Sequence, residues 1–190
     1  MGRVKQLRFC GLGGQGLVLG GVILGHAAIH DGKYVAGSDS YGVRVRGGFA
    51  LSDVVISDEP IVYPHVMEAD ILVPMAQEAY EDHIESVAPG AFVIFDDQMV
   101  ESRPRDNVKQ VGIPATSSAI KELNQQQAAN IVMLGALVAV TGIVSRESLE
   151  KAVEQNVGER FREMNLEAVK IGFRLGEERW RLLEEQLDRS

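Results

Sequence analysis

The glycines of the run Gly11-Leu12-Gly13-Gly14-Gln15-Gly16 are the residues of this chain best suited to holding an anion. The run follows a strand-like segment, residues 4–10, and precedes a helix-like one. Backbone N–H groups of such a loop, together with the helix N-terminus, converge on one spot where a phosphate or another anion fits. Gly11, Gly13 and Gly16 have the spacing G-x-G-x-x-G found in dinucleotide sites, a pattern of low specificity on its own. That fingerprint also wants an acidic residue about 20 positions on, ending the second strand. Asp39 lies near that distance but follows Gly37-Ser38 in what reads as a loop. A tight strand-to-helix turn without a ligand explains the same glycines, and from this motif alone it is the weightier reading.

A second cluster runs from Ser40 to Gly48 as Ser-Tyr-Gly-Val-Arg-Val-Arg-Gly-Gly. Arg44 and Arg46 beside glycines could grip a carboxylate or phosphate through paired hydrogen bonds. In isolation an exposed loop paired with neighbouring carboxylates, or an interface loop, is the favoured reading. What ties the two clusters together is that both should lie at the same edge of the sheet. Cys10 could be a thiolate activated by the following helix, although a small buried core cysteine is the commoner case. His26 and His30 fall four apart on one helix face, without a third ligand nearby, and none of the four histidines groups with acids as metal ligands beyond chance. No catalytic residue and no metal ligand can be assigned.

The elements that must position these residues follow from the apolar pattern. Strands are predicted over 4–10, 33–37, 49–57, 69–75, 91–95 and 108–113, with a return strand at 61–63 after the turn at 58–60. Helices are predicted over 17–30, 77–87, 117–123, 126–141 and 146–187, the last broken near Gly158. Gly20, Gly21 and Gly25 in the first helix imply close packing against a sheet or a partner. This alternation predicts an α/β fold: a three-layer domain around a mostly parallel sheet, mixed if 49–63 closes a hairpin, plus C-terminal helices. The division expected is an α/β domain over 1–145 and a helical extension over 146–190. In that extension Leu166, Val169, Phe173, Gly176, Trp180, Leu183 and Leu187 recur at spacings of three and four, an a/d seam. The seam suits packing on its own domain or docking on another subunit, and its length favours the partner.

Composition narrows the function classes. Lys and Arg number 19 against 27 Asp and Glu, a net charge of −8, which argues against nonspecific binding to nucleic acid or anionic membrane. One cysteine excludes an internal disulfide and a four-cysteine cluster built by this chain alone. The apolar stretches 17–29 and 131–144 fall short of the ~20 residues of a membrane span, and read as buried helices. No signal peptide is visible at the start, so cytoplasm is the expected compartment.

Taken together, GLGGQG, DGKYV at 31–35, SYG at 40–42 and RGG at 46–48 resemble one family, the gamma subunits of 2-oxoacid:ferredoxin oxidoreductases. SDVVISDEPI at 52–61, ADILVPMAQEAY at 69–80 and NIVMLGALVAVTG at 130–142 resemble it too, so the likeness runs over roughly 8–176. It implies an enzyme that decarboxylates a 2-oxoacid on thiamine diphosphate with Mg, passes the acyl group to coenzyme A, and sends electrons through iron–sulfur clusters to ferredoxin. It further implies that alpha and beta subunits hold the thiamine site, and that beta or a ferredoxin-like delta subunit holds the clusters. This chain would bind no cofactor alone and would not be active alone. Its contact residues toward coenzyme A would be Gly11, Gly13, Gly14, Gln15, Gly16, Tyr41 and Arg46. SYG points to the 2-oxoglutarate type rather than the pyruvate type. The family loop reads Tyr-Gly-Pro-Glu-x-Arg-Gly-Gly, whereas Val43 and Arg44 stand here at the Pro and Glu positions. That charge reversal leaves an aryl or branched 2-oxoacid as the alternative substrate. A free-standing NAD-type nucleotide-binding protein and a ligand-free scaffold are the competing readings.

Overall fold

The computed structural model describes residues 4–41 and 48–188. Six strands lie in the order β2-β3-β1-β4-β5-β6. They are β1 (Lys5–Leu12), β2 (Tyr34–Tyr41), β3 (Phe49–Ser57), β4 (Ala69–Pro74), β5 (Val87–Asp96) and β6 (Lys109–Ile113). The helices are α1 (Leu17–His30), α2 (Gln77–His83), α3 (Ala115–Leu123), α4 (Ala129–Thr141), α5 (Arg146–Asn156) and α6 (Arg162–Leu187). β1, β4, β5 and β6 pair in parallel, while β3 runs antiparallel to both β1 and β2. The C-terminal ends of β1, β2, β4, β5 and β6 therefore share one edge.

The sheet is mixed, but not through the expected hairpin. Residues 61–63 form no strand. Pro60 and Pro64 bracket them, and a proline contributes no N–H to a ladder; Val62 is 97% exposed. The antiparallel member is β3, inserted between β1 and β2. β2 also continues past Gly37 through Tyr41, because β3 pairs with it at every position from Tyr34↔Ser57 to Tyr41↔Ala50. The helix expected over 77–87 stops at His83; a 3-10 turn, Ile84–Ser86, follows, and Val87 already belongs to β5.

Alternation along the strands sorts the core into two unequal layers. Leu7, Phe9, Val54, Ile56, Ile71, Val73, Ile94 and Val111 face the side carrying α1, α3, α4, α5 and α6. Cys10, Leu72, Val93 and Phe95 face the other, where Ala79 and Tyr80 of α2 meet them. In α1 the glycines pack toward the sheet: a Cβ at Gly21 would collide with Ser52 of β3, and one at Gly25 would press on Val35 of β2.

The helices from residue 146 onward share that larger core. Leu149, Ala152, Val153, Ala168, Val169 and Phe173 are contiguous with the strand residues. α4 and α6 cross with their backbones touching. A Cβ at Gly172 would collide with the Val132 carbonyl, and one at Gly135 with the Val169 carbonyl. The α6 seam thus turns onto the chain's own domain. Val169, Phe173 and Gly176 are buried, Leu166, Trp180 and Leu183 are half-buried, and only Leu187 is exposed. The Trp180 ring sits 5.4 Å from that of Phe92 on β5, with Lys109 Nζ 5.0 Å from the Phe92 centroid and 5.5 Å from that of Trp180.

Candidate functional site

β1 is followed by α1 on one face of the sheet, and its neighbour β4 is followed by α2 on the other. Chains leaving adjacent strands in opposite directions open a crevice, the place where ligands bind in open α/β sheets. The glycine loop forms one bank and the segment after β4 the other. Gln15 spans them: Leu12 N donates to Gln15 Oε1 at 2.6 Å, and Gln15 Nε2 donates to the Met75 carbonyl at 2.7 Å. One oxygen lone pair and one N–H of its carboxamide thus bond backbone, and Gln15 lines the crevice while bridging its banks. Met75 N in turn donates to the Cys10 carbonyl at 2.8 Å.

The two loops singled out in the sequence do meet. Gly13 N donates to the Gly48 carbonyl at 2.8 Å, and Leu12 pairs with Phe49. Tyr41 closes β2 opposite Ala50; Arg44 and Arg46 lie outside the described residues. Gly14 and Gly16 take φ of 96° and 74°, conformations costly for any residue with a Cβ. Gly16 carries a further constraint. Asn130, at the start of α4, donates from Nδ2 to its carbonyl at 3.1 Å, and a Cβ at Gly16 would strike that side chain. Gly16 at the N-cap of α1 supplies no side-chain acceptor, which leaves first-turn N–H groups for another acceptor.

Two lobes flank the loop. One, of about 340 Å³, is bounded by Gly14, Gly16, Leu19, Asn130, Phe161 and Met164. The other, of about 460 Å³, is bounded by Gln15, Met75, Met99, Thr116, Gln126 and Asn130. Gln125, Gln127 and Asn130 border both, and among the described residues no Asp, Glu, Lys, Arg or His borders either. Beneath the second lobe Asp96 is fully buried. It accepts from Thr116 N at 3.0 Å, Thr116 Oγ1 at 2.5 Å and Gln98 N at 3.1 Å. Burial pushes its carboxyl up, and the bonds from Thr116 and Gln98 offset only part of that. Asp96 serves to fix the start of α3, not to reach the crevice.

The remaining candidates separate. Asp39 lies within β2, not in a loop, and accepts from Ser52 Oγ at 2.6 Å. With β3 between β1 and β2, Asp39 stands two strand spacings from the glycine loop's strand, about 10 Å. A dinucleotide ribose site needs those strands adjacent, so this geometry disfavours the NAD-type reading. Cys10 is buried against the Ala79 carbonyl, and burial pushes its thiol up, away from a thiolate role. His26 and His30 bond to Asn156 and Gln155 of α5. Among the described residues no three His, Cys, Asp or Glu come together as a metal site, and no helix is long and apolar enough to cross a membrane. Met75 and Asn130 lie in the family-like segments 69–80 and 130–142 without standing out there as site residues, and Thr116 lies in neither. The four consecutive amides Asn124-Gln125-Gln126-Gln127, following α3, are the compositional signal for this wall.

Comparison with known proteins agrees with this geometry. The model of the pyruvate ferredoxin/flavodoxin oxidoreductase family matches residues 6–175. The 2-oxoglutarate synthase subunit KorC of Methanocaldococcus jannaschii is 44% identical over 177 residues, 92% of this chain and 95% of that protein. The gamma subunit of a keto/oxoacid ferredoxin oxidoreductase from Geobacter sulfurreducens superposes with a TM-score of 0.85 at 38% identity, covering 93% of this chain and 98% of that one. The 2-oxoglutarate:ferredoxin oxidoreductase of Magnetococcus marinus, solved with 2-oxoglutarate, coenzyme A and succinyl-CoA bound, superposes with a TM-score of 0.83 at 25% identity. There the match covers 93% of this chain and 31% of the longer one. This chain belongs to the pyruvate ferredoxin/flavodoxin oxidoreductase family, as a gamma-type subunit of a 2-oxoacid oxidoreductase.

Proposed function

We propose that the complex completed by this chain oxidises 2-oxoglutarate, forms succinyl-CoA and reduces ferredoxin, and that the glycine-loop crevice meets the coenzyme A side of that reaction. The likeness to the 2-oxoglutarate synthase subunit supports the substrate. Thiamine diphosphate with Mg would supply decarboxylation, and iron–sulfur clusters electron transfer, from the alpha, beta or delta partners. This chain's own residues do not fit those groups: its one cysteine is buried with a raised thiol, and its described acids and histidines form no ligand set. No chemical step is therefore routed through it. Its contribution is to bind and orient.

The observation that carries the reading is the crevice itself. The Gly13–Gly48 bond and the Gln15 span fix an amide-rich slot, without a charged side chain among the described residues, over the start of α1. With no carboxylate at its border among the described residues, these walls set no like charge against an anionic co-substrate. The test is co-expression with the alpha- and beta-type subunits and assay of several 2-oxoacids with coenzyme A and a dye acceptor. Co-elution with 2-oxoglutarate as the preferred substrate is expected. A chain that elutes alone, a complex that prefers pyruvate or a branched 2-oxoacid, or turnover and iron in the isolated chain, would contradict it.

A further inference from the structure

α1 and α4 are the two helices of the chain without a single Asp, Glu, Lys or Arg. A helix apolar all round is normally buried all round. α4 is: it lies between the sheet and α6, and its large side chains are covered. α1 is not. Its inner face packs on β3 and β2, but Leu19, Val22 and Ile29 remain 37%, 41% and 56% exposed. With His26 they recur at spacings of three, four and three, one stripe on the outer face. Between Leu19 and Ile29 that stripe runs about 15 Å. At its upper end it continues into the neutral lobe at Phe161, 47% exposed, and Met164. Charge is depleted from the cores of protein interfaces in this way, and in a chain that is 24% charged a charge-free outer face is unusual.

Resting on the subunit reading above, we infer that the outer stripe of α1 is the seat of a helix from a partner subunit, presenting an apolar seam as α6 does to α4. The occupant follows from two observations. The a/d-type spacing of the stripe is what a second helix packs against. In the Magnetococcus marinus protein the counterpart of this chain makes up 31% of a longer polypeptide, so the remainder is a permanent neighbour there, and permanent interfaces are the more apolar ones. His26 does not spoil the seat, because Asn156 Nδ2 lies 2.8 Å from its Nδ1 and holds the ring toward α5.

The test uses the complex of this chain with its alpha- and beta-type subunits. The Val22→Glu, Ile29→Glu double variant should bind the partners at least about 100-fold more weakly, since two carboxylates would enter an apolar contact. Its melting curve alone should match the wild type, both sites being exposed in the free chain. Val22→Ile should bind within about threefold of wild type, as a conservative apolar exchange. A double variant that assembles with unchanged affinity overturns this inference alone. So does a wild-type chain that forms a dimer which the double variant abolishes while the complex survives, since the stripe would then seat a second copy. A wild-type chain that joins no such complex overturns the subunit reading, and this inference with it.

Discussion

α4 and α1 are built from the same kind of sequence and meet opposite surroundings. Each is small, apolar and free of charge, yet α4 is roofed by α6 while the outer stripe of α1 faces solvent. The roof over α4 is supplied in the same chain because Gly135 and Gly172 let two backbones touch. The lesson is that apolar content marks a helix as needing cover without saying which chain provides it. The α6 seam, whose length favours a partner, packs on its own domain through Val169, Phe173 and Gly176, with Leu187 exposed. α1, whose glycines suit packing on a sheet or a partner, is the helix with an apolar stripe left open.

The largest effect is expected where the roof is pinned. Gly172→Leu would drive a side chain into the Val132 carbonyl, and overpacking against backbone should cost about 4 kcal/mol or more. Circular dichroism should show no cooperative melt above room temperature. Trp180→Asp removes the ring from Phe92 and leaves a carboxylate at a half-buried site, at a cost of about 3 kcal/mol. Chemical denaturation of the isolated chain should report that loss, with partner affinity retained. Lost assembly without lost stability would return the partner to α6 and break the comparison.

The glycine loop should respond more weakly and unevenly. Gly16→Val combines a left-handed backbone with a collision at Asn130 and should cost about 2–3 kcal/mol; Asn130→Ala in the same chain should recover part of it. A Cβ at Gly14 meets no described atom within 4 Å, so Gly14→Val should cost mainly the backbone strain, about 1–2 kcal/mol. Equal losses at the two positions would show that Asn130 plays no part.

The smallest effect concerns how α1 is tied to α5. Asp31, just past α1, accepts from Ser145 N at 2.6 Å, Ser145 Oγ at 2.7 Å and Ser148 Oγ at 2.6 Å. Partial burial pushes its carboxyl up, but the bonds from Ser148 and Ser145 outweigh that and hold it below the usual range. A depressed carboxyl contributes stability that is present above its unfolded pKa and lost as pH falls through the folded one. Asp31→Asn should therefore cost about 1 kcal/mol at neutral pH. The gap to wild type should narrow as the pH drops below the ordinary carboxylate range, in melts run from pH 7 downward.

Much of the fold was legible because local pattern and tertiary demand agreed. α1 and β3 fall where periodicity puts them, at Leu17–His30 and Phe49–Ser57. Where they disagreed, long-range pairing won. Ser38 to Tyr41 look like a polar loop, yet β3 supplies a complete ladder and Ser52 a hydrogen bond to Asp39. Ile61 to Tyr63 look like a strand, yet nothing pairs with them. At the candidate site the glycine loop was visible, but its walls were not. Asn130 reaches Gly16 across 114 residues and Gln15 reaches Met75 across 60, and no spacing rule connects such pairs.

The contrast between the two helices can be read directly by thiol labelling. The native Cys10 is buried, with its thiol pushed up, and gives a silent background. Val22→Cys on α1 and Leu182→Cys on α6 both stand at exposed positions and should react readily in the isolated chain. In the assembled oxidoreductase Val22→Cys should label at least about tenfold more slowly, as expected of a side chain moved into an interface core, while Leu182→Cys keeps its rate. Unchanged labelling at Val22→Cys in a fully assembled complex would contradict the claim that a partner covers α1.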